Sequence, residues 1–306
     1  QVSVRVYAAS LNYRDLMTVN RGVSQELIPL SDGAGMVEEV GKEVTGLKKG
    51  DRIVGLFFPL WQGGNIDAHK FSSARGGVPT DGMLAQHVYG HEDSFVKFPE
   101  YLSYEEASTL PCAGLTAWSA LVVHGELKSG ETIVIQGTGG VALFALQLAK
   151  NLGARVILLS SKERKLEKAK EMGADELINY EKNPNWDDLV LEKTSQVGAD
   201  LVLELGGGGT LARSMASVKI NGRISMVGVL TGFDAQVNPL PIIRKSLSVN
   251  GIYVGSRDMH NQFHKALEVN KIHPHIDRVF KFDQVKEAYE YLQSGQHFGK
   301  IVIQLD

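Results

Sequence analysis

Gly137, Gly139 and Ala142 stand in the spacing G-x-G-x-x-A, after an apolar run over 131–136 and at the head of a helix-patterned stretch over 139–152. Each small residue has its own use. Gly137 permits a tight turn, Gly139 lets the backbone approach a pyrophosphate, and Ala142 lets helix and strand pack closely. Gly140 and Val141 fall at the helix start, where unpaired N–H groups and the positive end of the helix dipole receive phosphate. The chemistry implied is dinucleotide binding. The next strand, over 155–160, ends on Ser160 and Ser161, followed by Lys162, Arg164 and Lys165. A site for NAD places Asp or Glu there, on the ribose 2′-hydroxyl. Hydroxyls and cations instead accept a 2′-phosphate, which a carboxylate would repel. The missing carboxylate therefore selects NADP(H). The cations alone would not, because most of them also form the solvated face of the helix over 162–172.

These residues need a sheet to position them. Strands are predicted at 131–136, 155–160, 176–179, 200–204, 223–228 and 248–254, with helices near 139–152, 162–172, 185–194, 208–217 and 239–245. Such alternation predicts a parallel sheet with helices on both faces, an α/β fold. Ligands of these sheets lie at the carboxyl ends of the strands, which makes Gly206, Val227, Val229, Ile252 and Val254 candidate cofactor contacts. Gly206 opens the run Gly206–Gly209, read either as room for the cofactor or as a plain strand-to-helix loop. Residues 1 to about 100 carry short alternating runs between Gly and Asp turn signals and predict a β-rich domain. Pro59–Asp81 is polar, glycine-rich and aperiodic, and predicts a long loop. Ser103 and Glu106 have capping-box spacing and predict a helix start. A helix is predicted after residue 257, another at 283–293, and a final strand in "GKIVIQL".

The chain has 306 residues, 43% hydrophobic, with a formal net charge of −3. That suffices for two domains, and the charge gives no pull toward nucleic acid or anionic membrane. No apolar run nears the ~20 residues of a membrane span. The single cysteine, Cys112, excludes an internal disulfide framework and any all-cysteine zinc site within the chain. A cytoplasmic protein acting on a small molecule is expected. Gln1 enters a strand-like alternation directly, so a longer natural N-terminus is expected. His260 and His264 share helical spacing, and His273 and His275 flank Pro274. Neither pair shows a carboxylate or cysteine companion, so no metal is expected there.

The chain resembles the medium-chain dehydrogenases/reductases. "SDGAGMVEEVGKEVTGLKKGDRIVG" sits where that family carries G-H-E-x-x-G-x-V-x-x-V-G…G-D-x-V; "LPCAGLTAW", "GTGGVA" and "GKIVIQL" follow in the family's order. The resemblance implies a GroES-like catalytic domain over 1–115, a Rossmann NADP-binding domain over 116–254, and a return to the catalytic domain over 255–306. The family's zinc enzymes hold catalytic zinc at positions that match Asn12, Ser31 and Cys112. Only one zinc-ligand type survives, so the chain is similar to the zinc-free quinone oxidoreductases and enone reductases. Cys112 then reads as a small packed residue. "LNYRDLMTVNRG" carries the N-x-x-D of that branch. The resemblance further implies that Lys165 and Tyr180 hold the 2′-phosphate, that Thr116 lies near the nicotinamide, and that Phe298 and Lys300 return toward the cofactor.

Without a metal, developing charge on a substrate oxygen needs hydrogen-bond donors or an intrinsically electrophilic acceptor. That predicts NADPH-dependent hydride transfer to a quinone or α,β-unsaturated carbonyl. The alternatives are an alcohol dehydrogenase of the same superfamily and a non-catalytic NADPH-binding protein. Asn12 would hold the cofactor ribose or the substrate oxygen, or serve only its turn. Tyr13 is the nearest proton donor, or a packed aromatic. Arg14 and Asp15 would pair to fix the turn. Trp61 would shape the substrate pocket or anchor its loop. A homodimer is expected through the edge of the Rossmann sheet, Ser246–Gly255.

Overall fold

The computed structural model describes residues 1–22, 26–234 and 236–305. The chain divides into two compact units, residues 1–115 with 254–306, and residues 116–253. Val254 thus falls in the first unit.

The first unit is built on strands β1 (Val2–Ser10), β2 (Asp32–Val40), β3 (Arg52–Gly55), β4 (His87–Gly90) and β5 (Phe95–Lys97). Along β1, Val2, Val4 and Val6 are buried while Ser3, Arg5 and Tyr7 are half-buried. That is the period-2 signature of a strand with one face on a core. The core beneath it joins these valines to Leu30, Ile53, Met83, Phe95, Ile301 and Ile303. The helix Tyr13–Arg21 follows β1 directly. The predicted capping box is present: Ser103 Oγ accepts the Glu106 N–H, and the Glu106 carboxylate accepts the Ser103 N–H, before the helix Tyr104–Ser108.

The second unit holds β6 (Thr132–Gln136), β7 (Arg155–Ser160), β8 (Glu176–Asn179), β9 (Ala199–Glu204), β10 (Val218–Met226) and β11 (Ser248–Gly251). Among the described residues they form one parallel sheet in the order β11-β10-β9-β6-β7-β8. This is the doubly wound order in which the first strand lies centrally and the chain winds outward both ways. Ile133, Val134 and Ile135 are fully buried, as expected of a parallel strand covered on both faces. The helix Gly140–Asn151 buries Ala142, Leu143, Phe144, Ala145, Leu146, Leu148 and Ala149, so it packs with nearly its whole circumference. β12 (Ile276–Lys281) and β13 (Lys300–Gln304) belong to the first unit and complete its sheet, β12-β13-β1-β2-β3-β5, with β4 also on β1.

Three elements differ from the sequence expectations. β10 begins at Val218, earlier than expected, because Val218 pairs with Ala199 and a bulge follows before Arg223 resumes the ladder. β11 stops at Gly251, short of residue 254, where its pairing with β10 ends. Residues 59–81 are not wholly irregular: Asp67 caps a short helix, Ala68–Phe71, by accepting the Lys70 N–H.

Candidate active site

In the first unit, a buried polar centre gathers at the end of β1, the start of β2 and the start of β13. Lys300 is 3% exposed, and its Nζ donates to Leu11 O and to Asn12 Oδ1, both at 2.6 Å. Asp32 is fully buried and accepts from Ser31 Oγ at 2.7 Å and from the Cys112 N–H at 3.1 Å. Asp15 accepts the Asn12 N–H at 2.7 Å and lies 3.5 Å from Arg14 Nη1.

Burial dominates the electrostatics. It pushes the Asp15 carboxyl up to about 7, against the pull of Arg14 and the Asn12 N–H. It raises Asp32, against Lys300, Ser31 and Asn12. It lowers Lys300, although Asp32, Cys112 and Asp15 oppose the shift. The Cys112 thiol is pushed far up, first by burial and then by Asp32. Burial disfavours whichever form is charged, and the acidic neighbours of Lys300 oppose its downward shift.

The positions that match zinc ligands of the sister enzymes in the resemblance carry an amide, a hydroxyl and a thiol. A catalytic zinc takes three ligands of the thiolate, imidazole or carboxylate kind. The donor set does not fit that ion, and an ammonium already occupies the Asn12 oxygen. Cys112 is half-buried, and its described role runs through its backbone N–H on Asp32.

The other expected residues of this unit are placed as follows. Tyr13 is 47% exposed at the first turn of its helix. Arg14 does more than pair with Asp15: its Nη1 donates to Arg75 O at 2.7 Å and Gly76 O at 3.1 Å, clamping the loop 59–81. Trp61 is a packing anchor, 6% exposed, with its indole N–H on Gly64 O at 2.8 Å and its ring against Phe58. Phe298 is buried edge-on to His275. Val254 is buried, with φ at +57. His273 does have a carboxylate companion, Glu106 Oε1 at 2.7 Å, which sequence distance had concealed. Among the described residues no group of three or more His, Cys, Asp or Glu is placed to hold a metal ion.

In the second unit, the glycine turn has the geometry its spacing implies. Gly137 has φ +79, a left-handed conformation costly for any side chain, and its N–H donates to Leu159 O at 2.7 Å. A Cβ there would meet nothing within 4 Å, so the face of the turn is open. Gly139 caps the helix that begins with Gly140 and Val141, and no side chain takes up the cap position. The free N–H groups of that first turn suit a pyrophosphate.

At the end of β7, Ser160 is buried and pairs across to Asn179 of β8, and the Tyr180 N–H donates to Ser160 O at 3.2 Å. Ser160, Ser161 and Tyr180 therefore sit together at one strand end. Two carboxylates stand at this strand end: Glu163 accepts from Asn179 Nδ2 at 2.7 Å and pairs with Lys182 at 2.7 Å, and Glu181 pairs with Lys162 at 3.2 Å. Lys165 lies half-buried in the first turn of the following helix. Thr116 and Ile252 are buried, while Val227 and Val229 are half-buried beyond β10.

Sequence reasoning missed one network here. The Glu204 carboxylate accepts from Gln136 Nε2, Ser214 Oγ, Thr210 Oγ1 and the N–H groups of Gly206 and Gly207. It fixes the turn after β9. The Gly206 N–H is engaged, and a Cβ on Gly206 would lie 2.2 Å from Thr210 Oγ1, so the turn requires glycine there. The advance signal was a Glu closing the apolar run Leu201–Leu203.

A GroES-like domain with these features, and a doubly wound sheet with a glycine turn at its first strand, define an oxidoreductase that binds a nicotinamide cofactor. The alcohol dehydrogenase GroES-like domain family matches residues 1–100, and the zinc-binding dehydrogenase family matches residues 140–271. A zinc-type alcohol dehydrogenase-like protein of Schizosaccharomyces pombe is 41% identical over 317 residues, spanning 100% of this chain and 91% of the relative. The 2-methylene-furan-3-one reductase of Solanum lycopersicum is 33% identical, over 99% of this chain and 71% of the relative. A solved structure of an alcohol dehydrogenase candidate from Sinorhizobium meliloti superposes with a TM-score of 0.93 at 42% identity, covering 99% of this chain and 90% of that one. The chain belongs to the medium-chain dehydrogenase/reductase family. Among the described residues, no helix is long and apolar enough to cross a membrane.

Proposed function

We propose that the chain is a metal-independent, NADPH-dependent reductase of quinones or α,β-unsaturated carbonyls. The observation that carries this reading is the Lys300–Asn12 pair, an ammonium and an amide at the centre where sister enzymes carry zinc ligands. When bound, a dihydronicotinamide supplies a hydride. The acceptor's oxygen then gains negative charge, and the amide donor of Asn12 receives it. Tyr13, exposed beside Asn12, or water would supply the proton that neutralises the resulting anion. Donors aimed at a developing charge suit acceptors that are already electrophilic, whereas an unactivated ketone asks more of the site's polarisation. The reductase among the relatives supports an enone as substrate class.

The test is steady-state NADPH oxidation with a quinone, an enone and a simple ketone. Turnover of the first two well above the third is expected; equal or better turnover of the ketone, or of an alcohol in reverse, contradicts the reading.

The choice of NADPH rests on Ser160, Ser161, Lys165 and Tyr180. Lys165→Ala with Tyr180→Phe is expected to raise KM for NADPH by about tenfold, near 1.4 kcal/mol, while leaving NADH unaffected. A wild type that uses NADH as well as NADPH contradicts it.

A homodimer through β11 belongs to the same proposal. On its outer side β11 pairs with no strand among the described residues, and Val249 and Tyr253 are 37% and 49% exposed there. An unpaired edge of that kind associates unless it is blocked. Val249→Lys is expected to convert a dimer to a monomer in sedimentation; a wild type that sediments as a monomer contradicts it.

A further inference from the structure

The hydrogen-bonding roles around Asn12 are fixed by chemistry. A lysine ammonium only donates, so the atom 2.6 Å from Lys300 Nζ must be the amide oxygen. The Asn12 amide is thereby turned in one sense, and its Nδ2 is left as the free end. That atom is buried and makes no hydrogen bond of normal geometry among the described residues. Nδ2 faces the Asp32 carboxylate, which it lowers as a side-chain donor although the geometry falls short of a normal hydrogen bond. Leaving a buried donor unsatisfied costs about 1–3 kcal/mol, so a donor held at poor geometry recovers only part of that and remains available to a better-placed acceptor.

Lys300 itself is costly to bury and is balanced from two sides. Asp32 and Asp15 both act on it, and each is anchored: Asp32 by Ser31 and the Cys112 N–H, Asp15 by the Asn12 N–H. The anchors come from β1's end, β2, β13 and the segment Leu110–Gly114, so the ammonium is held by the fold and not by one loop. A side chain that closed onto a cofactor would need length to spare. Here Nζ donates to Leu11 O and Asn12 Oδ1, inside the first unit.

We propose that Lys300 is a positioning residue that acts through Asn12, supplying the fixed positive charge of this centre and holding the Asn12 amide so that Nδ2 donates to the substrate oxygen. This replaces the direct cofactor contact expected from the resemblance, and it rests on the reductase reading above. Asn12 touches the reacting oxygen, while Lys300 sets which end of the amide is presented.

The test is a double-mutant cycle with Lys300→Met and Asn12→Ala, read as kcat at saturating NADPH, with NADPH affinity measured separately by fluorescence titration. Lys300→Met is expected to lower kcat by about 10-fold, less than removal of a preorganised donor, because the Asn12 amide remains but is no longer held in one sense. NADPH affinity should stay within about twofold. In the Asn12→Ala background, Lys300→Met should have little further effect, because the group it acts through is gone. Effects that multiply in the double variant would overturn the proposal. So would unchanged kcat with NADPH affinity weakened tenfold or more, which would make Lys300 a cofactor contact. Should Lys300→Met fail to fold, Lys300→Ala with added ethylammonium replaces it. Recovery of kcat that saturates with the amine supports the role, and absence of recovery in a folded variant overturns it. A wild type that reduces neither acceptor refutes the reductase reading and this role with it. An active wild type with independent variants refutes the role of Lys300 alone.

Discussion

Asn12→Ala is expected to lower kcat for quinone or enone reduction by about 10²–10³-fold, the range for removing one preorganised donor from a developing oxyanion. The fold should survive the change. Asp15 still accepts the backbone N–H at position 12, and Lys300 keeps Leu11 O, so the loss is one charged hydrogen bond, on the order of 2 kcal/mol. NADPH affinity should change far less than kcat. A kcat within threefold of wild type would show that Asn12 only terminates its turn.

The second large effect is on stability at mildly acid pH. His260 and His264 lie in the helix Arg257–Asn270, both buried, with ring centroids 4.3 Å apart. Among the described residues neither ring nitrogen of His260 has a hydrogen-bond partner, whereas His264 Nδ1 meets Lys97 O at 2.9 Å. Burial lowers His264 to about 4 and His260 well below the ordinary range, with His264 adding repulsion to His260. Both are depressed bases, so they are neutral when folded. The unfolded chain binds protons below its histidine pKa of about 6.5, and the folded chain does not. Stability is therefore complete above about pH 7 and falls as pH drops through 6.5 toward 4. Each pH unit costs about 1.4 kcal/mol per ring, so about 2 kcal/mol is lost through His264 by pH 5. Urea melts at pH 7.5 and pH 5 test this. His260→Leu, which removes the unpartnered ring, should lose about 2 kcal/mol less than wild type over that interval. Identical losses would show that the pair is not neutral in the folded state.

Local features of the chain were legible wherever the physics was local. The period-3.6 and period-2 patterns located the elements of the second unit because a covered parallel sheet has few other ways to bury its apolar runs. Ser103 and Glu106 announced their helix because a capping box closes within one turn. Gly137 was readable because its left-handed φ admits few other residues. What could not be read depends on contacts distant in sequence. Lys300 and Asn12 lie 288 residues apart, and no spacing rule joins them. Gln136 and Glu204, 68 apart, meet only because β6 and β9 are neighbours in the sheet. His273 and Glu106 are 167 apart, which is why the histidine looked companionless. Trp61 offered two readings because a loop aromatic shapes a pocket or anchors a loop with the same sequence signal, and burial selects between them. Asn12, Ser31 and Cys112 were legible as the residues standing where the resemblance places zinc ligands. That an ammonium stands among them was not, since it arrives on the final strand.

The claim on which the rest depends is that fixed side-chain charge and an activated acceptor replace a bound metal. The wild-type chain should be dialysed against a strong chelator, shown by elemental analysis to be free of zinc, and assayed with NADPH against a quinone and an enone. Undiminished turnover is predicted, with no stimulation by added zinc. Turnover that disappears with the metal and returns with stoichiometric zinc would contradict the account.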